Sequence, residues 1–323
     1  MNVLATRGVK VPHSLRRNPA ILLSYATVAA LFIAGTLYTS GFGSANNIRT
    51  LLLQASFIGV IGLGQTLCIL TGGIDLSVPW TLTGAAVLTS ILANGDASRL
   101  PEVLALVLVL AVGVGLVNGI GVAYAGVPPI IMTLGTNGAL QGLLLVYTQG
   151  GISSFPPLAL NRFVLDRSLG LQNQLWIWIG VVILGIVLLS ATTLGRRLYA
   201  IGTNRNAAYL AGINVKRVLV IPYVISAVGA AATGILLMGY TGQAFLTMGD
   251  PYLFASAAAV AVGGASILGG DGHYVGTVAG AMVLTLLSGL LLLFSLGTGY
   301  LSIAYGGVLL VAAFLASLKL SRR

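Results

Sequence analysis

Apolar residues run along this chain in long unbroken blocks rather than at alternate or every-third positions. Stretches such as Val103–Val122 and Trp176–Leu194 have no polar face. Each is about as long as the ~20 residues an α-helix needs to cross a bilayer core. Ten such blocks lie at about 20–40, 48–70, 79–94, 102–124, 129–148, 174–192, 218–240, 253–268, 275–295 and 301–318. They predict an all-α polytopic membrane protein of about ten transmembrane helices. The third and eighth blocks are short, so a broken or re-entrant element would lower that count. Alternating strands are absent, which argues against an outer-membrane barrel.

Composition agrees with the pattern. The chain is 57% hydrophobic and only 7% charged, with a mean hydropathy of +1.00. A soluble domain carries roughly 25% charged residues to hydrate its surface, so the solvent here must be lipid.

The net charge of +10 invites a nucleic-acid reading, which its distribution removes. Arg7, Lys10, Arg16 and Arg17 precede the first block; Arg196, Arg197, Arg205, Lys216 and Arg217 fill one loop; Lys319, Arg322 and Arg323 end the chain. With ten crossings these twelve share one face, which the positive-inside rule makes cytoplasmic. Both termini then lie inside, and Trp176 and Trp178 begin the sixth segment at the outer interface. Arg49, Arg99, Arg162 and Arg167 are offset by Asp96, Glu102, Asp166 and Asp250. The divisions expected are a cytoplasmic tail over 1–19, a transmembrane domain over 20–318 and a second tail over 319–323. Within the domain, 195–217 is a cytoplasmic loop.

An internal echo joins "GGIDLSVPWTLTGAAVLT" (72–89) to "GGDGHYVGTVAGAMVLT" (269–285) when one residue is skipped. It pairs Asp75 with Asp271 and Thr81 with Thr277, and the helix count makes the two copies parallel. A duplication is favoured, because repeated bundles are common in transporters.

Chemistry is sparse. No G-x-x-x-x-G-K-[ST] motif occurs, so no P-loop holds ATP here. Two histidines, one cysteine (Cys68) and scattered acids offer no catalytic dyad, metal cage or internal disulfide. Asp75 and Ser77 are read as caps for the helix that follows, with Gly72–Gly73 ending the one before. A sharper reading gives Gly72, Gly73 and Asp75, with Gly269, Gly270 and Asp271, a gate at the cytoplasmic face. Asn118, Thr133, Asn137, Gln141, Gln54 and Gln65 are polar groups inside apolar blocks. The first four are candidates for a path taken by a polar solute, although interhelical hydrogen bonding explains such residues as well. His273 reads as a cap or solvated turn.

The loop "GRRLYAIGTNRNAAYLAGINVKRVLVIP" (195–222) exceeds a simple connection. Ala207, Ala208, Leu210 and Ala211 suit a short helix that Gly212 would end. A helix presented there suggests docking to another protein, or rest on anionic membrane lipid. Ala207-Ala208 and Gly212-Ile213-Asn214-Val215 resemble the coupling loop of permeases in ABC importers, most closely the ribose-type (monosaccharide) family. That family is similar also at "GLGQTLCILTGGIDLSV" (62–78), "VPPIIMTLGT" (127–136) and "VGGASILGGDGHYVGTVAGA" (262–281), over about residues 45–315. Asn206 stands where the coupling motif usually has Glu, and Pro79 replaces a usual glycine. Leu253 and Ala255 stand where acids are often found, and Ser288 and Leu291 replace asparagines.

The resemblance implies a bacterial inner-membrane permease subunit. It would pair with a second permease, identical or homologous, above cytoplasmic ATPase subunits that bind ATP and Mg. A periplasmic sugar-binding protein would deliver a monosaccharide or polyol. Arg205, Asn206, Ala207, Ala208, Gly212 and Ile213 would form the ATPase-coupling surface; the chain itself would carry no cofactor and no catalytic residue. The rivals are a branched-chain amino-acid-type ABC permease and an ion-coupled secondary transporter of a small polar solute. Against the ion-coupled carrier, both Asp75 and Asp271 are expected at a surface rather than at midplane.

Overall fold

The computed structural model describes residues 19–152, 154–293, 299–307 and 309–310. The first nine apolar blocks each become one helix: α1 (Pro19–Tyr38), α2 (Ala45–Leu70), α3 (Val78–Ala93), α4 (Leu100–Ala123), α5 (Pro129–Thr148), α7 (Asn173–Ala191), α10 (Val215–Thr241), α11 (Tyr252–Val262) and α12 (Tyr274–Leu293). The polar stretches supply three more: α6 (Leu158–Leu165), α8 (Thr193–Thr203) and α9 (Arg205–Leu210). The tenth block is helical over 299–307 and 309–310. The rest of that block and both expected tails, apart from Pro19, lie outside the described residues.

Among the described residues, seven helices, α1, α2, α4, α5, α7, α10 and α12, are long and apolar enough to cross a membrane. The two short ones start inside the bundle. α3 has 16 residues and α11 has 11, about 24 and 16 Å at 1.5 Å per residue. Both lengths fall short of a ~30 Å core. The Gly249 N–H, just before α11, donates to Thr83 Oγ1 near the start of α3 (3.0 Å). The two short helices therefore begin beside each other inside the bundle and run to opposite ends of it, as discontinuous helices do in transporters.

α2 and α10 form the centre. α10 lies against α2, α3, α4 and α6, and small residues let the backbones approach. A Cβ added at Gly64 would stand 2.2 Å from Ser226 Cα, and one at Gly234 would stand 2.1 Å from the Leu82 carbonyl oxygen. Such close approach substitutes for the hydrophobic drive that lipid cannot supply.

All five described basic residues of 195–217 gather at one end, called here the basic end. α1 begins there, its Ser24 Oγ donating to the Val262 carbonyl at the end of α11 (2.6 Å). The loops 71–77 and 263–273 both lie there as well, joined by the Gly270 N–H to the Leu70 carbonyl (2.9 Å). The two copies of the echo thus run the same way.

At the opposite end, a two-residue hairpin pairs Arg167–Ser168 with Leu171–Gln172. Trp176 Nε1 donates to the Ser168 carbonyl (2.9 Å), placing Trp176 at that end as expected. Trp178 does not join it. Its indole is buried against Gly59 of α2, because two residues along α7 rotate it by about 200° from Trp176, onto the inner face.

Gly64→Val drives a side chain into the α10 backbone, an overpacking cost of at least about 1–3 kcal/mol. A clear fall in thermal stability in detergent is expected, whereas Gly113→Ala, whose added methyl meets open space, leaves it unchanged.

Candidate functional site

The site grows from the break between α2 and α3. α2 ends in a Schellman turn: Thr71 caps it, Gly72 N–H donates to the Ile69 carbonyl and Gly73 N–H to Cys68, with Gly72 at φ +78°. The chain then runs without helix to Ser77, with Thr71, Gly73, Asp75 and Ser77 buried inside the bundle. Every unwound N–H there needs a protein partner.

Side chains supply partners for the N–H groups of Leu76 and Ser77. Asp75 Oδ1 accepts from the Ser77 N–H (2.9 Å) and the Ser77 hydroxyl (2.6 Å). Thr133 Oγ1 of α5 accepts from the Leu76 N–H (2.9 Å), and Asn137 Oδ1 accepts from the Trp80 N–H (3.3 Å). Asn118 Nδ2 of α4 donates to Ser77 Oγ (2.9 Å), and Thr136 Oγ1 donates to Asn118 Oδ1 (2.6 Å). A chain of hydrogen bonds thus runs Thr136, Asn118, Ser77, Asp75. Pro79, near the start of α3, has no N–H to orphan.

Several expectations change here. Neither Asp75 nor Ser77 caps α3 through its side chain: Ser77 holds the cap position without a side-chain bond, because its hydroxyl is already committed to Asp75. Asp75 is fully buried, whereas Asp271 is exposed. The expectation that both acids lie at a surface therefore fails for Asp75, whose unwound segment turns inward to meet α5. Asn118, Thr133 and Asn137 come together; Gln141, one turn beyond Asn137, points out of the bundle, as does Gln54. Ser226 faces the Asp75 carboxylate from α10. Its Oγ, Asp75 Oδ2 and both amide atoms of Gln65 are buried without a hydrogen-bond partner among the described residues.

At the basic end the six coupling candidates sit on or beside α9. Asn204 caps it, accepting from the Ala207 N–H (3.0 Å), and Gly212 at φ +80° closes it, with the Ile213 N–H donating to Ala208. Ala208 is buried and Ile213 packs half-buried against the core, while Asn206, Ala207 and Gly212 are exposed. Arg205 donates through Nη2 to the Thr71 carbonyl (3.2 Å). Tyr209 and Leu210 project outward, 71% and 84% exposed.

Residues 195–203, expected as loop, form α8. It is capped by Thr192 and buries Gly195, Leu198 and Ile201 at helical spacing. Its Gly202 sits where an added Cβ would stand 1.8 Å from the Leu70 oxygen and 2.5 Å from the Gly270 nitrogen. Tyr199 donates to the Gly272 carbonyl (2.6 Å). Burial, with a smaller effect from Asp271, pushes that hydroxyl up to about 12, so it remains a donor. Gly72, Gly269 and Gly270 therefore meet in one junction against α8, with Asp271 at its edge and Asp75 further into the bundle. Gly202 carried no sequence signal among 44 glycines.

His273 caps α12. Its Nδ1 accepts from the Val275 N–H (3.2 Å), which leaves the proton on Nε2, 3.0 Å from Ser190 Oγ. Burial pushes this imidazole down from its ordinary value.

A break held by polar side chains at membrane depth, tied to an exposed helix at the charged face, is the arrangement of a transport protein. A family model described as the branched-chain amino acid transport system / permease component matches residues 47–318, and the chain belongs to that family. It is 34% identical over 300 residues to the ribose import permease protein of Escherichia coli (strain K12), covering 91% of this chain and 92% of that one. It is 32% identical to the fructose import permease protein of Rhizobium meliloti, covering 86% and 80%. It is also 32% identical to an autoinducer 2 import system permease protein of Photorhabdus temperata, covering 87% and 88%. No solved structure matches. The chain is a multi-pass membrane transport permease rather than an enzyme.

Asp75→Ala leaves the Ser77 N–H and hydroxyl without their buried acceptor, a loss of about 1–3 kcal/mol each way of counting. Asp75→Asn keeps an acceptor oxygen and is expected to lose less, read as the order of melting temperatures in detergent. A second expectation concerns pH. The folded state holds His273 neutral, so its contribution is fully present above the ordinary histidine value of ~6.5 and fades as pH falls below it. The wild type should lose more stability between pH 7.5 and 5.5 than His273→Gln, a loss that differential scanning fluorimetry reads directly.

Proposed function

We propose that this chain is the permease subunit of an ATP-driven importer in a bacterial inner membrane, passing a monosaccharide or related polyol. A periplasmic binding protein delivers the solute, a second permease completes the pathway, and separate ATPase subunits bind ATP and Mg. The basic end is then cytoplasmic, with both termini inside. The import permeases named above for ribose and fructose support the substrate class.

The observation that carries the reading is the lever at the basic end. α9 offers Tyr209 and Leu210 to the cytoplasm, a compact apolar knob for a groove in a partner. Behind it, Arg205 holds the Thr71 carbonyl and Gly202 abuts Leu70 and Gly270. Displacing α9 therefore displaces the break that holds Asp75. The two amide atoms of Gln65, without partners among the described residues, fit a structure with a second arrangement, since each costs about 1–3 kcal/mol here.

The pathway is assigned to the free face of α5 and the segment before α11. Gly135, Gly138 and Gly142 meet nothing within 4 Å, and Gln141 lies on that exposed side. Ala244 and Leu246 pack beside α5 with Trp80, and Asp250 follows them, exposed at the level of the α3 start. A carboxylate at that depth faces water or protein, not lipid. A two-permease assembly with a wet centre accommodates it. An ion-coupled carrier would also use a buried acid such as Asp75, but the import-permease relatives weigh against it.

Tyr209→Ala with Leu210→Asp is expected to abolish co-purification of the importer's ATPase subunit, and sugar uptake with it, while melting temperature holds. Uptake that survives deletion of the ATPase would sink the importer reading and turn attention to Asp75 as an ion site.

A further inference from the structure

We propose that the groove between the cytoplasmic ends of α4 and α10 binds the phosphate headgroup of an anionic phospholipid. The groove is lined by Ile120, Tyr124, Arg217 and Val220, and Lys216 Nζ stands 5.5 Å from the centre of the Tyr124 ring. Two cations and an aromatic ring thus ring one spot, with aliphatic side chains directly beside them.

Depth and charge point the same way. α10 has 27 residues, about 40 Å of helix, roughly 10 Å more than a ~30 Å bilayer core. Its first turn, with Lys216 and Arg217, stands at headgroup level, where Tyr124 at the end of α4 meets the interface.

None of the chain's six acids is placed to neutralise this pair. Asp96 and Glu102 lie at the far end of α4, and Asp166 follows α6 at that same far end. Asp250 follows Gly249 beside the start of α3, Asp75 is bound to Ser77, and Asp271 belongs to the loop against α8.

The walls of the groove are built rather than incidental. An added Cβ at Gly115 would stand 2.5 Å from Val224 Cα, and one at Gly119 would stand 2.8 Å from Val220 Cα. α4 is therefore locked to the α10 backbone just above the cations.

The occupant follows from what adjoins the site. Leu106, Val109, Leu116, Val117 and Ile120 form an exposed aliphatic stripe along α4 that ends at Tyr124. A phospholipid of the cytoplasmic leaflet matches both parts: its acyl chains lie on the stripe and its phosphate meets Lys216 and Arg217. Basic pockets between helices on the cytoplasmic side recognise anionic headgroups in this way.

The test is native mass spectrometry of the detergent-purified chain with dioleoyl phosphatidylglycerol or dioleoyl phosphatidylcholine, so it stands apart from any transport assay. Phosphatidylglycerol should bind about tenfold tighter, as two cations at about 1 kcal/mol each allow. Lys216→Gln with Arg217→Gln should erase the preference. Arg196→Gln with Arg197→Gln, an equal loss of charge on α8, should keep it. Equal binding of the two lipids by wild type, or equal loss in both double variants, overturns the proposal in favour of diffuse attraction. Binding of inorganic phosphate that phosphatidylglycerol fails to displace overturns it in favour of a free anion. Two further results also overturn it. One is a Val117→Cys cross-link between two copies, which assigns the stripe to a protein interface. The other is loss of the ATPase, with lipid preference intact, in the Lys216/Arg217 variant.

Discussion

The Gly270 N–H reaches across to the Leu70 carbonyl at 2.9 Å, and the rest of the working structure hangs on that contact. Leu70 is the last residue of α2, so its carbonyl is one that the helix leaves without an internal partner. The loop before α12 supplies the donor, and α8 seals the pair by bringing Gly202 onto both atoms. Three segments far apart in sequence thereby share one small volume of backbone. No side chain fits between them, so none can cushion a displacement of one relative to the others. Motion imposed on α8 and α9 must reach the α2–α3 break and the α11–α12 loop together.

Much of this fold was legible from hydropathy alone, because a lipid-solvated helix needs only length and apolarity. Eight of the nine described blocks fell within about three residues of a helix at both ends, whereas the block at 253–268 is helical only over Tyr252–Val262. Their orientation toward lipid or toward protein was not legible. Gln54 and Gln141 sit in blocks as apolar as those of Asn118 and Thr133, yet the first pair faces outward and the second is buried. Average hydropathy cannot tell these apart when lipid and protein interior are equally apolar. α8 was missed for a related reason: Arg196, Arg197 and Asn204 made the segment look like loop, although Leu198 and Ile201 at helical spacing were the sign of a buried face. The junction glycines of the two echoed loops were visible as motifs. Their contact with Gly202 was not, because nothing local marks a glycine as a partner of a distant carbonyl.

The echo itself shows how a duplicated sequence can diverge in physical role. Asp75 and Asp271 occupy matching places in their copies; Asp271 directly follows two glycines at positive φ, Gly269 and Gly270, and Asp75 stands three residues after one, Gly72. One is drawn into the bundle because α5 presents Thr133 and Asn137 to the segment around it. The other stays at the surface because the corresponding loop is covered by α8 through its backbone, with Tyr199 bound to Gly272 rather than to the acid. The environment of the copy decides, not the motif.

The placement of Asp75 on an unwound segment also resolves why an acid is tolerated at that depth at all. On an intact helix its carboxylate would find every backbone N–H already taken and would need a cation, which this interior does not offer. On the break, the Ser77 N–H is free, the Ser77 hydroxyl is two residues away, and one carboxylate oxygen satisfies both. An unwound backbone and a buried acid are each costly in a membrane, but each here supplies what the other lacks. That mutual dependence couples the shape of the break to the position of the acid. Whatever moves the segment 71–77 must also move the carboxylate, and with it the line of hydrogen bonds through Asn118 to Thr136 on the helix assigned to the pathway.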